Sequence, residues 1–130
     1  NLPIGRADDS IMIRTVRPDG REAITEYETI QYIEGAQLSL VKFQLHTGRC
    51  HQIRVHTRHL GHPIVGDGLY GLRSNDYTVP DHPNIIVEDK ISRQALHAFR
   101  LSFAHPMTNE ALIFESPLPK DIKQLLQIYI

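Results

Sequence analysis

Apolar and polar positions alternate through the first third of the chain, take on a helical period near residue 50, and alternate again before a helical end. Ser10 to Val16 reads as a short strand closed by the Pro18-Asp19-Gly20 turn. Ile24 to Ile33 alternates loosely and is rich in β-branched and aromatic residues, which suit a pleated, half-buried surface. Glu34-Gly35 marks a turn, and Leu38, Leu40, Phe43 and Leu45 punctuate the next run, Ala36 to His46. Together the two runs predict a long antiparallel hairpin.

Between Arg49 and Leu60, a helix turning about 100° per residue places Cys50, Ile53, Thr57 and Leu60 on one side, the expected core face. His51, Arg54 and Arg58 fall on the adjoining face, with Arg54 and Arg58 one turn apart. Gly61 and Pro63 supply the stop. Pro63 to Gly71 is dense in glycine and proline and reads as a shaped loop, and residues 72–92 as a surface excursion. Strands resume at Leu96 to Phe103 and Ala111 to Phe114. After Pro117-Leu118-Pro119, a helix is expected over Lys120 to Tyr129, burying Ile122, Leu125 and Leu126. Neighbouring strands can pair, so the expected class is α+β, with a mostly antiparallel sheet and a few packed helices.

Composition narrows the setting. A chain of 130 residues, 41% hydrophobic and 22% charged, fits one globular domain. No apolar run approaches the roughly 20 residues of a membrane span, so no membrane partner is expected. A single cysteine, Cys50, excludes an internal disulfide framework and suits the cytoplasm. The chain opens on Asn1 and enters a Pro-Ile-Gly turn almost at once, which reads as a piece of something longer.

Net charge is only −1, but its distribution is uneven. Residues 35–66 hold Lys42, Arg49, Arg54, Arg58 and five of the eight histidines, without one acid. Such a local field can hold a polyanion on a near-neutral protein, and it can equally be a solvated face. Three chemistries compete for it. His56, His59 and His62 suit zinc as residue types, but i, i+3, i+6 positions spread over about 240° of a helix, and His62 lies past the Gly61 stop. Cys50 beside Arg49 and His51 resembles an activated nucleophile, and equally a small buried hydrophobe. The third is phosphate and base recognition: the Thr47-Gly48-Arg49 turn opens a helix, and the arginine fork fits phosphate or a buried carboxylate supplied from elsewhere.

The run Gly48-Arg49-Cys50-His51-Gln52-Ile53-Arg54-Val55-His56, then Gly61-His62-Pro63-Ile64-Val65-Gly66-Asp67 and Tyr70-Gly71, resembles the signature of the RluA-type pseudouridine synthases. Further landmarks follow in order: Leu2-Pro3-Ile4-Gly5, Ala23-x-Thr25-x-Tyr27, Leu96-His97-Ala98, His105-Pro106 with Thr108, and Pro117-Leu118-Pro119. Each is weak alone; in register along nearly the whole chain they are specific.

The resemblance implies an isomerase that breaks the N-glycosidic bond of uridine in RNA, turns the base and rejoins it through carbon, without metal or cofactor. It implies ribosomal or transfer RNA as partner. It also implies that Arg54 pairs with a nucleophilic aspartate in a His-Arg-Leu-Asp motif, while a later tyrosine strand stacks on the base. Neither motif is present: none of the eight aspartates follows His-Arg-Leu. Residues 1–130 therefore read as the C-terminal portion of a synthase catalytic domain, inactive alone, with an RNA-binding module of the same fold as the alternative. Arg54 is the expected catalytic residue, waiting for the absent carboxylate. Arg49, His51, Gln52 and Arg58 are the expected RNA-binding residues. For Arg49 and His51 the alternative is a helix cap, for Gln52 a tie to the neighbouring loop, and for Arg58 solubility. Asp67 is expected to shape its loop by accepting backbone N–H bonds, and Tyr70 to pack. Part of a sheet leaves bare edges, so a homodimer or swapped assembly is expected.

Overall fold

A computed structural model describes residues 1–7, 14–33, 38–71 and 91–129. The elements in chain order are β1 (Ile4–Arg6), β2 (Arg14–Val16), β3 (Thr25–Ile33), β4 (Leu38–Leu45), α1 (Gln52–His59), β5 (Arg100–Ala104), β6 (Ala111–Glu115) and α2 (Lys120–Tyr129). The strands form three antiparallel pairs, β1–β2, β3–β4 and β5–β6. The class is α+β with antiparallel sheets and two helices, as the pattern predicts.

The hairpin expected from the alternation is present. It aligns Tyr27 with Phe43 and Glu28 with Lys42, and a bulge between Thr29 and Gln31 shifts the register. The Ser10–Val16 strand is seen only from Arg14; residues 8–13, the Glu34-Gly35 turn and residues 72–90 lie outside the described residues. Ile4–Arg6 is a strand the pattern does not single out, since three residues are too few to show a period. The strand expected from Leu96 begins only at Arg100. The terminal helix has the predicted bounds and buries Ile122 and Leu125.

Among the described residues, two apolar clusters hold the elements together. Ile4, Ala23, Val55 and Tyr70 form one, with Val16 and Leu69 against it, so β1, β2 and α1 meet over the loop after α1. Ile91, Ile122 and Leu125 form the other, flanked by Leu38, Val65, Ala95 and Leu126. Gly66 connects them: its φ of 78° is left-handed, and a Cβ there would collide with the Arg93 carbonyl. Arg93 in turn grips Asp121 through Nε and Nη2 at 2.8 and 2.9 Å, fastening residues 91–96 to α2.

The expected core face of α1 is corrected. The helix buries Gln52, Val55 and His56; Cys50 is exposed and Leu60 is 55% exposed. An apolar count misses this face because two of its three buried side chains are polar and internally bonded. The stop is as read: Gly61 takes φ 84°, and its N–H bonds the Arg58 carbonyl. Large apolar side chains also stand in solvent on both long hairpins, among them Tyr27, Ile30, Tyr32, Leu101, Phe103, Ile113 and Phe114. A two-stranded ribbon cannot cover both of its own faces. No helix of the described residues is long and apolar enough to cross a membrane.

Candidate active site around Arg54

One polar network seats α1. The Gln52 amide is buried, and its Oε1 accepts from the Thr47 hydroxyl at 2.8 Å and the Arg49 N–H at 2.9 Å. Its Nε2 donates to the Ile24 carbonyl at 2.9 Å and to Thr25 Oγ1 at 2.8 Å. Thr25 continues the chain to His56 Nδ1, and His56 Nε2 reaches the Leu2 carbonyl at 2.8 Å. With a carbonyl fixed on Nε2, that nitrogen carries a proton, and both ring nitrogens of His56 are spent within the fold. All four hydrogen-bonding positions of the Gln52 amide are taken inside the fold, where it joins α1 to the start of β3. His59 and His62 are exposed and His56 is committed, so the three are not gathered into a ligand set.

Arg54 projects from the same helix toward the loop after it. Its Nε donates to Asp67 Oδ2 at 2.8 Å and its Nη2 to Asp67 Oδ1 at 2.7 Å, a two-pronged pair. The Asp67 side chain is fully buried and that of Arg54 is 13% exposed. Oδ1 also accepts the N–H groups of Leu69 and Tyr70, both at 3.1 Å, so the carboxylate shapes its loop as expected. Burial alone would raise the Asp67 pKa. The Arg54 hydrogen bond, the Tyr70 N–H, the Arg54 charge and the Leu69 N–H outweigh it and hold the carboxyl below its ordinary value. The Asp67 hydrogen bond pushes Arg54 higher still, against its own desolvation.

The picture of Arg54 as a cation without a partner is therefore corrected: Asp67, thirteen residues on, supplies the counter-charge. Only one edge of the guanidinium is used. Arg54 Nη1 makes no hydrogen bond among the described residues, so the opposite edge still offers donors.

Tyr70 forms the floor. Its ring lies 5.0 Å from Arg54 Cζ, within cation–π range, and is almost fully buried. Its hydroxyl receives the Arg14 backbone N–H at 2.9 Å and sits 2.7 Å from His51 Nδ1. Desolvation, then Arg54 and Arg14, lowers the His51 pKa, favouring the neutral ring; the tyrosine then donates to Nδ1 and the proton rests on Nε2. His51 holds the left-handed conformation, φ 56° and ψ 28°, at the N-terminus of α1, without capping it by its side chain. That conformation costs a residue with a Cβ about 1–2 kcal/mol, and the hydrogen bond and edge-on contact with Tyr70 hold it in place. Packing was expected for Tyr70; the hydroxyl link to His51 was not, and no spacing rule would have shown it.

Arg49 lies near the opening of α1, with Nε on the Glu22 carbonyl at 2.6 Å. Arg58 is half-buried one turn beyond Arg54 and has contacts of its own within the fold. The structure thus brings Arg54, His51, Asp67 and Tyr70 together and leaves Arg49 and Arg58 to either side.

A family model described as RNA pseudouridylate synthase matches residues 2–59. The chain is 45% identical over 129 residues to a Bacillus subtilis (strain 168) protein named "Uncharacterized RNA pseudouridine synthase YjbO", covering 98% of this chain and 39% of that protein. It is 40% identical over 127 residues to the ribosomal large subunit pseudouridine synthase D of Nitrosomonas europaea, covering 98% and 35%. Among solved structures, human RNA pseudouridylate synthase domain containing 1 superposes with a TM-score of 0.64 at 27% identity, covering 98% of this chain and 57% of that one. The chain thus spans under two-fifths of the length of these two relatives. By sequence and by fold, it belongs to the RluA-type RNA pseudouridine synthase family.

Proposed function

We propose that this chain is the arginine-bearing part of an enzyme that isomerises uridine to pseudouridine in structured RNA. The observation that supports it is the half-used guanidinium of Arg54: Asp67 and Tyr70 fix the plane of the fork, and the Nη1 edge is left for a second carboxylate. That carboxylate is the nucleophilic aspartate the family resemblance implies, carried outside this chain. A cation held beside it keeps it ionised within a closed site. The reaction breaks N1–C1′ and forms C5–C1′; the C5 proton goes to solvent and N1 gains one. Arg49 and Arg58 flank the site as contacts for RNA phosphates, with His51 at the mouth. The names of relatives favour ribosomal over transfer RNA as substrate. A cytoplasmic setting fits an RNA substrate and an exposed free thiol.

Residues 1–130 alone are then inactive and, with bare apolar ribbons, self-associate. Incubated with RNA labelled with tritium at uridine C5, the chain alone should release none, while the longer protein that contains it should release tritium with turnover. Release by the chain alone would overturn the division of labour. Light scattering should show a dimer or larger species, and a monomer would count against the assembly.

One observation favours a second reading, a non-catalytic RNA-binding module. Asp67 already neutralises Arg54, so the site is electrostatically complete without a nucleophile. RNA binding by the longer protein without tritium release would decide for it.

A further inference from the structure

The two ring nitrogens of His51 have different fates. Nδ1 lies 2.7 Å from the Tyr70 hydroxyl, while Nε2 makes no hydrogen bond among the described residues. Tyr70 decides which of them carries the proton. It is 1% exposed, and its hydroxyl already accepts the Arg14 backbone N–H at 2.9 Å. Were Nδ1 protonated, the hydroxyl would accept a second time and its own hydrogen would be stranded, a cost that buried donors rarely bear. The hydroxyl therefore donates to Nδ1, and Nε2 presents an N–H. Burial, then the Arg54 and Arg14 charges, opposes a second proton on the ring, against the weaker pull of Asp67. The free nitrogen is a donor and not an acceptor.

The backbone is strained to hold this ring. Among the described residues other than glycine, a positive φ occurs at His51 and Asn109. Asn109 lies between β5 and β6, where asparagine takes the left-handed turn readily. His51 has no such excuse, since its side chain does not cap α1. Strain of this kind persists where the surroundings enforce it, and it gathers at ligand-binding positions. The ring so placed shares a floor with Arg54: Arg54 Cζ lies 5.0 Å from the Tyr70 ring centroid and the His51 ring centroid lies 5.3 Å from it. Two unused donors, His51 Nε2 and Arg54 Nη1, thus stand beside one tyrosine. The carboxylate beside them, Asp67, is fully buried and bonded to Arg54, Leu69 and Tyr70.

We infer that His51 selects uridine, its Nε2–H donating to O4 of the uracil that enters the Arg54 site. The inference rests on the reading of the chain as part of an enzyme that isomerises uridine, and it names the residue that reads the base. Uracil and cytosine share O2 and differ at C4, where uracil carries an acceptor oxygen and cytosine an amino donor. A nitrogen fixed as a donor pairs with the first and meets the second donor against donor. A histidine free to exchange its tautomer would accept from cytosine as well, and the Tyr70 hydroxyl removes that choice. Tyr70 is in this sense a positioning residue that acts through His51. A site that leaves its own polar group unpaired against the wrong base discriminates more strongly than one that reads shape alone.

The test uses the longer protein, a stem-loop bearing the uridine it modifies, and the same loop with cytidine in that place as a competitor of C5 tritium release. For the wild type, the inhibition constant of the cytidine loop should exceed KM for the uridine loop by about 10-fold or more. His51→Phe keeps a ring and has no N–H; it should raise KM for the uridine loop by about 10-fold with kcat little changed, so that the ratio falls toward one. His51→Gln, which keeps an N–H donor, should recover part of the ratio. Thermal unfolding followed by circular dichroism checks that each variant folds; should His51→Phe fail to fold, Tyr70→Phe, which frees the tautomer with the ring in place, must still lower the ratio. A His51→Phe variant that weakens both loops equally makes His51 a phosphate contact and overturns the inference, as does an unchanged KM or a wild-type ratio near one; each leaves the proposed function standing. A longer protein that releases no tritium removes the proposed function, and the inference with it.

Discussion

Replacing Asp67 by asparagine tests the pair on which the site is built. Asparagine has nearly the same shape, but one carboxylate oxygen becomes an amide nitrogen. If Oδ1 keeps the Leu69 and Tyr70 N–H groups and Arg54 Nη2, the new Nδ2 faces Arg54 Nε, donor against donor. The guanidinium, with its side chain 13% exposed, is then left without its counter-charge. Breaking a buried ion pair from one side costs about 3–5 kcal/mol. At roughly 4 °C per kcal/mol for a chain of this size, the melting midpoint should drop by about 12–20 °C. Thermal unfolding followed by circular dichroism reads this directly, and urea unfolding gives the same difference. In Arg54→Met/Asp67→Asn the stranded charge is gone, so the double variant should be more stable than the sum of the single losses implies, by about 1–3 kcal/mol. An Asp67→Asn variant within about 0.5 kcal/mol of the wild type, or strictly additive single losses, would refute the claim that Asp67 is the partner holding Arg54.

The same pair sets an acid limit. Because the folded pKa of Asp67 lies below its unfolded value of roughly 4, its contribution is complete above that value and disappears as pH falls through the folded pKa; the stability gap between wild type and Asp67→Asn should be flat near neutrality and close in acid, and a gap that widens in acid would be contrary. Gln52→Leu should cost at least about 2 kcal/mol, since it strands several buried polar partners at once; a loss of RNA affinity at unchanged stability would restore Gln52 to the contact surface. Tyr70→Phe keeps the ring under Arg54 but deprives His51 Nδ1 of its donor, so the His51 pKa should rise toward 6.5 in an NMR titration, and an unchanged value would remove the hydroxyl link.

How far these features were legible varies with their physics. The β3–β4 hairpin and α2 show in the sequence because apolar periodicity produces them and nothing competes. The bounds of α1 show because Gly61 and Pro63 are local signals. Its buried face does not: Gln52 and His56 are inward because Thr25, Thr47, Ile24 and Leu2, all distant in sequence, satisfy them, while Leu60 and Cys50 stay outside. The partner of Arg54 was hidden in the same way. Asp67 is the next acid along the chain, but only the left-handed turn at Gly66 and the Asp67-capped loop bring it back across α1. The motif singled out Arg54, and the three-dimensional register showed which of its edges is already taken. The exposed apolar faces of both long hairpins were not legible, since alternation marks an apolar face without showing whether anything covers it.

The free edge of Arg54 is the central claim, and the rate of C5 tritium release by the longer protein, with and without Arg54→Lys, tests it most directly. Lysine keeps the charge but has one ammonium in place of a fork, so it cannot serve Asp67 and a second carboxylate at once. The account predicts that kcat falls by about 100-fold or more, the scale of losing one preorganised electrostatic contact, while KM for the RNA changes little. A variant that retains the wild-type kcat, or one whose loss lies entirely in KM, would contradict it and make Arg54 a structural or RNA-binding residue.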